Sequence, residues 1–444
     1  MNDFILAIRN YFMAPVGCTP YERIGHYLML SLGIVLAAFY AYQFVYIFVA
    51  YVAQDLVISS RFTSLMLYIF LAYSAYVFVS RFRANYSLSV FACWYLLFGL
   101  ISCITALYAP SFSGATGSLY AMLVAFCLGL FLQMYARNDL EFSRIAWCYA
   151  ISSFALVVLL FLTGNLKGEA GDRLGNELVG NANTFAAMMM MATMFAIWLL
   201  VYKTKTWLSK ILMLTIIVAD LYALVLSGGR KYFIIPFLFF YLLLLFKTNK
   251  RGKRHIIIYT VLFAGMIAVV WYLIMNVESF YNAIGVRMED FLKSLSGEEG
   301  DNSSRVREIM RKVAFEKWLE RPLWGYGFDS FKYLAQTTVG EFFYSHCNYT
   351  ELLYSGGIFY FLLFYWIHYR IVRNAFRNKS IPVAYKAFAI ATTVSWLVFD
   401  YGGVSYNSNP TLIMLVMAYN ASTFANKETK TNGQTANTEA APKE

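Results

Sequence analysis

Apolar runs long enough to cross a membrane recur along nearly the whole chain, and no other feature restricts its fold as much. A spanning helix needs about 17–25 residues, because it rises about 1.5 Å per residue through a hydrocarbon layer about 30 Å thick. Runs near that length lie at 27–53, 63–80, 87–108, 117–135, 145–163, 183–202, 211–227, 232–246, 256–275, 347–368, 387–400 and 409–425. Composition agrees. Of 444 residues, 60% are hydrophobic and 14% charged, against about half apolar and a quarter charged in soluble domains. The expected fold class is all-α: a polytopic integral membrane protein of about twelve helices, since helices satisfy their own backbone hydrogen bonds in lipid.

Lys and Arg number 36 against 25 Asp and Glu. The excess is dispersed between apolar runs, as in cytoplasmic loops, and argues against a nucleic-acid partner. With a cytoplasmic N-terminus, the inner loops hold Arg81 and Arg83, Arg137 and Arg144, Lys203, Lys205 and Lys210, the basic stretch 247–254, and Arg370 to Lys386. The short outer loops 109–116 and 401–408 hold no basic residue, as the positive-inside rule requires. The expected organisation is then a cytoplasmic N-terminus (1–26), nine spans (27–275), a large outer loop (276–346), three more spans (347–425) and a cytoplasmic tail (426–444). The polar composition of that tail predicts disorder. No cleavable leader is evident, because the first apolar run is too long for one. The 6 cysteines show no metal-ligand spacing, and most lie within apolar runs as small hydrophobes.

Three places break the apolar pattern on the expected outer side. The first is the loop 276–346, whose length predicts a role. Within it "RVREIMRKVAFEKWLE" (305–320) reads as an amphipathic helix, with Val306, Ile309, Met310, Val313 and Ala314 along one stripe. Arg305 and Arg307 lie about 200° apart on such a helix and flank that stripe. Pro322, Gly325 and Gly327 end it. The second place is "SGGRK" (227–231), a tight turn that sets Arg230 and Lys231 at the start of a helix, where free N–H groups and a guanidinium suit an anion. The third is His346, one of 4 histidines, at the start of a later span. A histidine can act as acid or base near neutral pH. Arg173 is a further outer arginine, and Asp220 is a carboxyl deep within an apolar run. There is no His/Cys/carboxylate metal cluster, Walker-type glycine loop or Gly-x-Ser-x-Gly elbow in the sequence.

Together these motifs resemble the O-antigen ligase/polymerase superfamily. "LSGGRKYFIIPFLFF" (226–240) is similar to its Ser/Gly-rich turn, arginine and helix. "NSSRVREIMRKVAFEKWLERPLWGYGFDSF" (302–331) resembles its loop of arginine, amphipathic helix, proline and Gly-x-Gly. "SHCNYTELLYSGGIFYFLLFY" (345–365) resembles its His-Asn-x-x-Leu-Glu helix start, and "GNANTFAAMM" (180–189) its Asn-rich helix start. Cys347 departs from the pattern by standing between His346 and Asn348, and Thr350 stands where a larger apolar residue is usual.

The resemblance implies a membrane glycosyltransferase of the bacterial inner membrane that needs no cofactor or metal. Its donor would be an undecaprenyl-diphosphate-linked glycan in the bilayer. Its acceptor would be another carrier-linked glycan for a polymerase, or lipid A–core for a ligase. A flippase and a chain-length regulator are implied as partners. Carried onto this sequence, the resemblance makes His346, Arg230 and Arg307 the catalytic candidates. Arg305, Arg173, Asn348 and Lys231 become substrate-binding candidates. Counting back from Pro322, Arg307 fits the loop arginine better, with Arg305 the alternative. A secondary transporter remains the rival class on span count, with Asp220 as its deep charge.

Overall fold

The computed structural model of the chain describes residues 89–136, 138–168, 173–179, 181–248, 253–296 and 302–424. The spans expected at 27–53 and 63–80, the N-terminal segment and the tail 426–444 lie outside the described residues. The described chain is all helical, without a strand. Its principal helices are α1 (Val90–Ala106), α2 (Phe112–Tyr135), α3 (Asp139–Leu162), α4 (Ala182–Tyr202), α5 (Trp207–Leu226), α6 (Arg230–Thr248) and α7 (Lys253–Asn276). They continue with α8 (Val286–Ser296), α9 (Asn302–Glu320), α10 (Phe331–Val339), α11 (Asn348–Arg377), α12 (Val383–Tyr401) and α13 (Asn409–Thr423).

Among the described residues, 7 helices are long and apolar enough to cross a membrane: α2 to α5, α7, α11 and α12. About twelve spans were expected. α1 has 17 residues and α13 has 15, and α6 carries Arg230, Lys231 and Lys247 within its bounds; these three are not among the seven.

α4 is the axis of the bundle. It is buried on all sides from Met189 to Leu199 and packs against α3, α5 and α6. The methionine run 188–191 serves as packing there, with Met189 and Met190 fully buried. On the outside, Leu97, Leu100, Phe161, Val218, Val261 and Leu262 are exposed. Large apolar side chains facing outward around a buried core suit a surface solvated by lipid.

The loop after α7 folds back on this bundle. The chain passes through a π turn at Tyr281–Gly285 into α8 and then α9. Met310 and Ala314 of α9 pack with Phe331 and Ala335 of α10 and Tyr354 of α11 in a small core, and Val306 lies against it. Ile309, expected on the same stripe, is exposed. The contact runs along one row of residues spaced by four, and such a row leaves the neighbouring i+3 position outside.

α11 breaks at Gly357, which has φ 69° and ψ −169°. The break releases the Tyr354 and Ser355 carbonyls and the Ile358 N–H from the helix. The segment after α9 takes all three: Tyr326 N–H donates to Tyr354 O at 2.8 Å, Gly327 N–H to Ser355 O at 2.8 Å, and Ile358 N–H to Pro322 O at 2.9 Å. A Cβ on Gly357 would stand 2.2 Å from Leu323 O, and one on Gly325 2.4 Å from Tyr354 O. The glycines of "GYG" and "SGG" are therefore the two faces of one backbone lock. It fixes α9, which carries Arg307, against α11, which follows His346.

Candidate active site

The turn between α5 and α6 organises the first half of the site. Gly228 takes a left-handed φ of 62°, and the Ser227 and Gly228 carbonyls accept from arginines of other segments. Arg173 Nε donates to Ser227 O at 2.6 Å and its Nη2 to Asn183 Oδ1 at 3.0 Å. Arg287 Nη1 donates to Gly228 O at 3.3 Å. Arg230 in turn donates from Nη1 to the Arg287 carbonyl. Three guanidiniums from distant segments thus meet over one turn. Among the described residues, neither Arg173 nor Arg287 enters an ion pair with a carboxylate. Burial, with Arg287, Arg307 and Arg230 nearby, pulls the Arg173 pKa down to about 10, against a smaller opposing effect of Tyr232. That still leaves it charged at pH 7.

The second half comes from α9, α6 and the start of α11. Arg307 shares the field of Arg173, Lys231 and His346. Lys231 Nζ donates to Gly402 O at 3.0 Å and lies 4.4 Å from the Phe399 ring centroid. The Gly402–Gly403 turn makes room for it, since a Cβ on Gly403 would stand 1.9 Å from Nζ. Arg311 Cζ sits 4.9 Å over the Tyr401 ring and also bears on His346. Arg305 is exposed, and neither Arg173 nor His346 is shifted by it.

His346 is half-buried and has a left-handed φ of 58°, a region costing a non-glycine residue roughly 1–3 kcal/mol. Among the described residues nothing hydrogen-bonds its imidazole. Burial first, then the charges of Arg307, Lys231 and Arg311, pulls its pKa down to about 4. The ring is therefore neutral at pH 7 and able to accept a proton.

Asn348 sits immediately behind. It is fully buried, and its Oδ1 accepts from Ser405 N–H at 2.9 Å and Tyr406 N–H at 3.1 Å. Its Nδ2 lies 3.0 Å from Tyr365 Oη and 3.2 Å from Asp400 Oδ2. These contacts tie α11 to the loop after α12, so the Asn348 amide is committed to protein partners rather than open to a ligand. Cys347, the departure from the family pattern, is buried and gives α11 its N-cap through the backbone alone. Its carbonyl accepts from Ser345 Oγ at 2.9 Å, Thr350 Oγ1 at 3.2 Å and Glu351 N–H at 3.0 Å. The hydroxyl of Thr350 is thus part of the same loop.

Sequence reasoning missed Arg287. It lies in the loop by number, but its approach to Gly228 depends on the π turn, which no local pattern signals. Asp220, in contrast, is fully buried between α3 and α5 and accepts from Ser153 Oγ at 2.9 Å. No cluster of three His, Cys, Asp or Glu residues among the described residues could hold a metal ion.

Fold and site define a class: a multi-pass membrane protein in which several guanidiniums gather near a neutral histidine. Residues 215–365 match the O-antigen ligase family, which supports membership in the O-antigen ligase/polymerase superfamily. The matched segment holds Arg230, Lys231, Arg287, Arg307 and His346 but begins after Arg173 and the Asn-rich start of α4. No curated protein matches the chain.

Proposed function

We propose that the protein polymerises carrier-linked oligosaccharide repeat units into a surface polysaccharide, on the outer face of the bacterial inner membrane. The observation that carries this is a run of electrostatic neighbours: Arg173 lies in the field of Arg230, Arg287 and Arg307, and the neutral His346 in that of Arg307, Lys231 and Arg311. The donor would be a glycan on undecaprenyl diphosphate, its lipid remaining in the bilayer. His346 takes the proton of an acceptor hydroxyl, and that oxygen attacks the anomeric carbon. The bond from that carbon to the phosphate oxygen breaks with inversion, and its electron pair leaves with the diphosphate. Negative charge grows on the diphosphate in the transition state, where fixed guanidiniums stabilise it most. Arg230 and Arg307 would contact the leaving group. Arg173, Lys231 and the newly found Arg287 would complete its binding. Asn348 would act behind His346 by holding the start of α11.

A ligase that passes the glycan to lipid A–core would use the same groups, so acceptor identity separates the two readings. A strain lacking the protein should accumulate single-repeat glycolipid if it is a polymerase. Loss of all long glycan from the core, with long chains still on the carrier, would instead make it a ligase. The transporter reading loses support because Asp220 is enclosed by its bundle, bonded to Ser153, rather than paired with the cationic cluster.

A further inference from the structure

A histidine holds a left-handed backbone only where neighbouring groups fasten it. At His346 the fastening comes from both sides. Ser345 is fully buried, and its N–H donates to Glu351 Oε2 at 2.8 Å. On the other side, the Cys347 carbonyl accepts the Glu351 N–H at 3.0 Å. Ser345 Oγ spans the gap to the same carbonyl at 2.9 Å, and Thr350 Oγ1 lies 3.2 Å from both Ser345 Oγ and Cys347 O. The residues flanking His346 are thus both tied to Glu351, one turn into α11. Among the described residues nothing hydrogen-bonds the imidazole itself, which meets the Phe343 ring at 5.8 Å between centroids.

Glu351 is an unexpected choice for a merely structural tie. It is fully buried, and its Oε1 finds no hydrogen-bond partner among the described residues. A buried carboxyl with one oxygen unsatisfied disfavours folding, and a helix start can be capped without one. We propose that Glu351 is a positioning residue: its carboxyl holds Ser345, and through Ser345 it aims the His346 imidazole at the acceptor hydroxyl. This rests on His346 being the base, as proposed above.

The test is steady-state transfer by the full-length protein in proteoliposomes, with a carrier-linked oligosaccharide as substrate. Glu351→Gln keeps a side-chain carbonyl for the Ser345 N–H and should stay within about threefold of wild type, whereas Glu351→Leu should lose about 10²-fold in kcat. KM should stay within about twofold, because the cationic donor site does not involve Glu351. In a His346→Ala background, Glu351→Leu should cost nothing further, since the group it positions is gone. An equal loss in both backgrounds would overturn the proposal, as would wild-type kcat in Glu351→Leu. Wild-type turnover by His346→Ala alone would remove the base itself, a failure of the functional reading that takes this proposal with it. If Glu351→Leu does not fold, Thr350→Val opens the same loop isosterically. It should lower kcat by about three- to tenfold at constant KM, again only when His346 is present, and an unchanged kcat would refute the proposal.

Discussion

Gly357→Ala tests the lock that joins the two halves of the site. Its φ of 69° and ψ of −169° belong to glycine, and an alanine there carries strain of roughly 1–3 kcal/mol. The added Cβ would also meet Leu323 O at 2.2 Å and Trp324 N at 2.6 Å. Both are backbone atoms of the opposing segment and cannot turn aside as a side-chain end would. That segment must lift, and its bonds to Tyr354, Ser355 and Ile358 go with it. At about 0.5–1.5 kcal/mol net for each of the three hydrogen bonds, the whole loss with the strain is about 2.5–7.5 kcal/mol. That is a large part of the roughly 5–15 kcal/mol typical of a domain. α9, which carries Arg307, would lose its hold on α11. The assay pairs thermal unfolding of the detergent-solubilised protein with its transfer rate. Gly265→Ala is the control, because a Cβ there meets nothing within 4 Å and should be neutral or slightly stabilising. Gly357→Ala protein that unfolds at the wild-type temperature and transfers at the wild-type rate would refute the lock.

Other outcomes follow from the site. Arg307→Gln and Arg287→Gln should each lower kcat/KM by about 10- to 100-fold, as loss of a hydrogen bond to a charged group implies, while Arg305→Gln should change it by less than about twofold; equal losses at 305 and 307 would contradict the assignment. The pH profile should show the depressed pKa of His346. The neutral ring is the active form and its pKa is pulled down to about 4, so kcat/KM should hold as pH falls through 6.5 and drop only near the lower value. A bound diphosphate offsets the neighbouring cations, so the acid limb of kcat should lie at higher pH than that of kcat/KM; a common limb at or above 6.5 would contradict this. Asp220→Asn keeps an acceptor for Ser153 Oγ and should leave glycan transfer within about twofold.

Much of this was legible in the chain. Length and apolarity marked α2 to α5, α7, α11 and α12 because spanning helices are a single-residue-pattern property. Arg230 and His346 stood out because each places an ionisable side chain at the lip of an apolar run. Arg305 and Arg307 were separable in principle by helical phase. Choosing between them required knowing that Met310 and Ala314, rather than Ile309, face the bundle. Arg287 was hidden because a π turn aims it, and the enclosure of Asn348 was not legible because its partners, Ser405, Tyr406 and Asp400, lie more than fifty residues away. Cys347 resisted explanation in sequence because its side chain does nothing at the cap; its carbonyl does the work.

The central claim is that His346 removes the acceptor proton beside a guanidinium-bound diphosphate. Single-turnover transfer from a carrier-linked oligosaccharide, by wild type and His346→Ala at saturating donor, tests it directly. The account predicts a fall of about 10²–10⁴ in the transfer rate, with donor binding retained through Arg230 and Arg307. Transfer by His346→Ala at close to the wild-type rate would contradict it.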